Sequence, residues 1–149
     1  QATVWANDPM NPGVAAEVAK MDVDREVRMW DNWRIMRAAE VSEKGYYYNL
    51  HVKTDNPGAY MAALDNLYSE MQERGHNVSM QVFMGDTGET AGLLMVSLGS
   101  ADRAAMGRMM DARTEAWFQK AVSNLDGKRE IVHGFSLVCE TYAVADMQS

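Results

Sequence analysis

The sequence predicts an α+β fold, a four-stranded antiparallel sheet with two helices on one face. Three observations predict it. Between Tyr46 and Val144 the elements run strand, helix, strand, hairpin, strand, helix, strand. The strand segments alternate in side-chain type, whereas the helical ones repeat apolar residues every three or four positions. The breaks fall at turn-forming residues: Asp55-Asn56-Pro57-Gly58, Gly75, Gly85–Thr90 and Asp126-Gly127-Lys128.

The first strand is Tyr46–Thr54, rich in aromatic and β-branched residues. Pro57 lacks the donor a strand ladder needs but fits the first turn of a helix, which Asp55 or Asn56 can cap. That helix carries Met61, Leu64, Leu67, Tyr68 and Met71 on one face, and Gly75 is placed to end it in a left-handed conformation. The second strand spans Asn77–Met84, the cluster Gly85–Thr90 turns a hairpin, and the third strand is Leu93–Leu98. Ser100 suits the N-cap of a second helix, Ala101–Leu125, whose apolar row is Met106, Met110, Trp117 and Ala121, broadened by Met109, Ala116 and Phe118. The last strand runs from about Ile131 to Tyr142.

Two split βαβ units with right-handed crossovers make a ferredoxin-like βαββαβ sheet with the last strand beside the first. This domain occupies residues 46–149. Residues 1–45 form an N-terminal extension: a turn-rich leader at Asn7–Gly13, then a helical reading over Val14–Val41 with Val23, Val27 and Trp30 on one side and Met29, Trp33 and Met36 on another. Such a helix needs a docking surface, on its own domain or on a partner subunit, where Trp and Arg are favoured.

Composition narrows the function. At 149 residues the chain has the size of one domain. A net charge of −7 without a Lys/Arg cluster disfavours nucleic acid and anionic membrane surfaces, and no segment is long and apolar enough for direct membrane insertion. The chain begins with Gln1, an end of the kind signal peptidases leave, which gives the expectation of an exported protein, periplasmic or secreted. Cys139 stands alone, so no intrachain disulfide forms, and it reads as a small buried hydrophobe. Three scattered histidines without HxH or HxxxH spacing make no metal site, and no cofactor is expected. The thirteen methionines fall mostly at core or pocket-wall positions.

Chemistry belongs on the sheet face turned away from the helices. With Tyr48, Leu50 and Val52 inward, Tyr47, Asn49, His51 and Lys53 face out. Gln81 and Phe83, then Met95 and Ser97, join them on the next strands. On the last strand Phe135, Leu137 and Cys139 read as inward, leaving Ser136, Val138 and Glu140 on the open face. Apolar walls with a few directed polar groups are what a pocket needs. His51 is the candidate catalytic residue, as a base near neutral pH or as a ligand. Glu140 would orient it, and Asn49, Gln81, Ser97 and Glu140 are the candidate ligand-binding residues. A hydrogen-bonded structural role for His51 at a subunit interface stands beside this reading.

In element order and spacing, residues 46–144 resemble the dimeric α+β barrel superfamily, which includes the antibiotic-biosynthesis monooxygenases. The resemblance implies a homo-oligomer, a dimer first, in which two sheets pack face to face. It also implies a small ligand between sheet and helices or inside the barrel. Haem-degrading members use an Asn on the first strand with a Trp and a His on the second helix. Asn49 and Trp117 fall near those places, but Ala101–Leu125 contains no His, so haem chemistry does not carry over. Trp117 reads as a core residue.

The sequence thus points to a small-molecule-binding or cofactor-independent catalytic protein acting on a small, largely apolar ligand held against the sheet. The alternative is a structural or accessory subunit of an exported assembly, with the N-terminal helix and sheet face as interfaces. Enzyme and binding module both stay open, because this fold hosts unrelated functions.

Overall fold

In the computed structural model, which describes residues 16, 19–21, 31–40 and 43–140, the described elements run β1 (Asn32–Arg37), β2 (Lys44–Lys53), α1 (Pro57–Glu73), β3 (Ser79–Thr87), β4 (Leu94–Ser100), α2 (Arg103–Ala112), α3 (Ala116–Ser123) and β5 (Glu130–Glu140). They belong to one compact unit, Met29–Thr141. The sheet order is β1-β3-β4-β2-β5, antiparallel throughout. The last strand lies beside the first of the βαββαβ core, as the topology argument requires. The arrangement is ferredoxin-like, with five strands and three helices where four and two were expected.

The fifth strand corrects the reading of residues 32–37 as helical. Asn32–Arg37 pairs with β3 along the sheet edge. Its helical look came from apolar residues at Trp33 and Met36, a spacing that a bulged strand also produces, and the β1–β3 register shifts between Ile35 and Arg37. Polar side chains pin the strand. Arg34 forms a two-point contact with Asp86 (2.6 and 3.3 Å), and Arg37 pairs with Asp65 of α1 and lies over the Tyr68 ring. Of the rest of the expected docking helix, residues 16, 19–21, 31 and 38–40 are described, and the others lie outside the described residues.

Local chemistry sets the helices. Asn56 caps α1 by accepting from the Ala59 N–H at 3.0 Å, Pro57 follows at the first turn, and Gly75 ends the helix with φ +75°. The buried stripe of α1 is Tyr60, Ala63, Leu64, Leu67 and Met71. Met61 and Tyr68 flank it half-buried, a small rotation from the expected face. Ser100 is not the cap of α2. Its hydroxyl donates to the Asn77 carbonyl (3.0 Å), and Asp102 accepts from Ala104 N–H instead (2.8 Å). The expected single helix breaks at Arg113–Glu115 without Gly or Pro, because side chains take the terminal carbonyls: Arg113 Nε donates to Met110 O and Thr114 Oγ1 to Asp111 O. The break shifts the helical phase, so α2 buries Ala105, Met106, Met109 and Ala112, and α3 buries Phe118 and Ala121.

The core lies between these helices and one sheet face, formed by Val52, Met80, Val82, Leu94, Val96 and Leu98. Burying each large apolar side chain contributes about 1.5–3 kcal/mol. All three helices therefore cover the same face, and among the described residues no helix covers the other.

Candidate functional site

The register defines the open face row by row, since directly opposed residues on antiparallel strands point the same way. One row runs Ile35, Phe83, Met95, His51, His133. The next runs Gln81, Ser97, Asn49, Phe135, and a third runs Ser79, Gly99, Tyr47, Leu137. Asn49, His51, Gln81 and Ser97 are thus brought together at the centre, as the alternation predicts. Asn49 and Ser97 are buried, at 3% and 5% exposure.

Glu140 is not among them. The expected faces of the last strand are reversed: Ser136 opposes Tyr48 and Gly134 opposes Leu50 on the helix side, and Glu140 opposes Lys44, whose Nζ lies 3.0 Å from its carboxylate. Phe135, Leu137, Cys139 and His133 take the open face instead. The cause is that β5 is an edge strand with little helix above it, so apolar character did not mark its inward side. Gly134 admits the Leu50 methyl, which a Cβ there would meet at 3.1 Å. The bulge near Val132 then sets the phase.

An aromatic cluster surrounds His51. Its ring lies 5.3 Å from Phe135 in an edge-on contact, 5.3 Å from Trp33 and 6.2 Å from His133. Trp33, His133 and Phe135 were missed as site residues. Trp33 was hidden by the helical reading and the other two by the reversed register. Burial holds the His51 pKa below its usual value, and the nearby His133 adds to this, with Asp31 opposing weakly. The neutral imidazole is therefore the form present near pH 7.

Among the described residues two buried nitrogens at the centre have no hydrogen-bond partner, Asn49 Nδ2 and His51 Nε2. Such groups are rare in folded proteins and each invites an explanation. Gln81 is partly engaged, since Nε2 donates to Ala39 O at 3.3 Å. Tyr47 lies flat against the sheet, where a Cβ on Gly99 would meet its ring at 2.6 Å. Among the described residues no three His, Cys, Asp or Glu side chains converge, so His51 and His133 have no third partner for a metal.

Asn49 and Trp117, which fall near the places of the Asn and Trp of haem-degrading members, lie on opposite sides of the sheet. Asn49 lies on the open face, whereas half-buried Trp117 sits on α3 across the sheet, stacked on His76 with Arg74 over its ring and its N–H donated to Glu115 (2.8 Å).

No protein-family model matches the chain, and no curated protein matches it. Among solved structures the chain is similar to a dimeric protein of unknown function and ferredoxin-like fold from Bacteroides fragilis. The likeness has 8% identity and a TM-score of 0.40, over 67% of this chain and 98% of that one.

Proposed function

We propose that this protein binds a small, largely apolar molecule against the open face of its sheet, with Asn49 and His51 taking the molecule's polar end. The observation that carries this reading is the adjacent pair of buried, unpartnered nitrogens, Asn49 Nδ2 and His51 Nε2. Leaving a buried polar group unsatisfied costs about 1–3 kcal/mol, so two such groups side by side call for a complement. A carbonyl or hydroxyl oxygen supplies it by accepting from Asn49 Nδ2. Trp33, Phe83, Met95 and Phe135 supply the apolar wall. The neutral imidazole is the form that takes up a proton, so a reaction here would be cofactor-independent proton abstraction by His51.

The test is a titration of the protein with neutral aromatic ketones and phenols, followed by NMR. Binding that shifts the His51 and Asn49 side-chain signals is expected. It is lost in His51→Ala with the melting temperature nearly unchanged. Equal affinity in His51→Ala and wild type would reject the reading.

A second reading, a homodimer that closes the same face, is favoured by Ile35 and Leu137, which are 60% and 46% exposed on that face. Ile35→Lys with Leu137→Lys should then yield a monomer in sedimentation experiments. An unchanged sedimentation coefficient would count against it.

A further inference from the structure

On the opposite side of the sheet, between it and the helices, lies a cavity of about 170 Å³. Its walls are almost wholly apolar, drawn from Leu64, Leu67, Met71, Met80, Val96 and Phe118. Arg113 and Arg129 line it as well, as does Ile131, which is 54% exposed.

Among the described residues the two arginines stand out by having no carboxylate partner. Arg34, Arg37, Arg74 and Arg108 each pair with a carboxylate, and Arg103 is exposed. Arg113 and Arg129 are half-buried, and among the described residues no carboxylate pairs with either, in a chain with 21 acidic residues against 14 basic ones. Both are held in place by neutral contacts. Arg113 lies 5.1 Å over the Tyr48 ring and donates to Met110 O, and Arg129 donates to the buried Tyr60 hydroxyl at 3.4 Å. A guanidinium that is oriented, partly desolvated and uncompensated is a carboxylate receptor. Size sets the rest of the ligand, since an apolar cavity of roughly 150 Å³ admits one benzene ring.

We propose that this cavity binds a small aryl carboxylate, with its ring among Leu64, Met71, Met80 and Phe118 and its carboxylate on Arg113 and Arg129. The site is separate from the open-face site and does not depend on it.

The test is a titration of the full chain with sodium benzoate, read by methyl NMR, with benzyl alcohol as the neutral counterpart. Benzoate should shift the methyl signals of Leu64, Met71 and Met80. It should bind at least about tenfold more tightly than benzyl alcohol, the difference one charge-assisted contact makes. That preference should vanish in Arg113→Gln and in Arg129→Gln. A salt titration of the wild type needs no variant, and benzoate affinity should fall as salt rises. Equal affinity for the two compounds, indifference to salt, or shifts confined to His51 and Asn49 would each overturn the proposal.

Discussion

The indole of Trp33 lies 5.3 Å from the imidazole of His51, although β3 and β4 separate their strands. The edge strand therefore carries an aromatic cover across the sheet to its central histidine, and that cover keeps the imidazole dry. Trp33→Ala should admit water and raise the His51 pKa toward 6.5. His133→Gln should raise it too, by removing a repelling cation. NMR titration of the His51 ring reads both. A lower value in either variant would contradict this assignment of causes.

The same shift makes stability depend on pH. The unfolded chain takes a proton on His51 near 6.5, and the folded chain only below that. Between the two values the unfolded state binds more protons, so acid favours unfolding. The contribution is fully present above 6.5 and is lost as pH falls through the folded value. His51→Phe should flatten the acid side of a urea-midpoint profile around that window. A profile identical to wild type would show that His51 titrates normally.

Two glycines should respond oppositely to alanine. A Cβ on Gly85 would overlap the Thr90 carbonyl oxygen, where Gly85 also accepts from the Gly92 N–H (2.9 Å). Gly85→Ala should cost about 1–3 kcal/mol as overpacking. Gly107 lies on the exposed side of α2, with nothing within 4 Å of its Cβ position. Gly107→Ala should stabilise by about 0.5–1 kcal/mol through helix propensity. Chemical denaturation measures both.

Leu64, 1% exposed, sits under α1 against the sheet. Leu64→Ala should destabilise by about 2–5 kcal/mol. A loss under about 1 kcal/mol would mean that the surrounding side chains collapse into the space left behind.

Glu140→Gln should leave the His51 titration untouched, because Glu140 faces Lys44 on the helix side. Phe135→Ala should move it, because Phe135 touches the imidazole edge-on. A response to Glu140→Gln alone would restore the register that the sequence suggests.

Where burial and local chemistry agree, the sequence was legible. Val52, Met80, Val82, Leu94, Val96 and Leu98 alternate cleanly because both neighbours of each central strand are strands, and their inward face meets helices. Asn56, Pro57 and Gly75 mark α1 because their roles are local. The edges were not legible. Asn32–Arg37 and Glu130–Glu140 are outer strands, much of their apolar surface is exposed, and so the pattern no longer reports which side is in. Trp33, His133 and Phe135 were lost from the site for that reason. The break at Arg113–Glu115 depends on side-chain bonds to carbonyls that no spacing rule contains.

The Asn49 and His51 nitrogens, unpartnered among the described residues, are proposed to form half of a ligand site. Native mass spectrometry of the protein from its own source, wild type beside Asn49→Leu, tests this most directly. The expected result is a small added mass on the wild type that is absent from a folded Asn49→Leu protein. Bare protein in both cases, or the same added mass retained in Asn49→Leu, would contradict the claim.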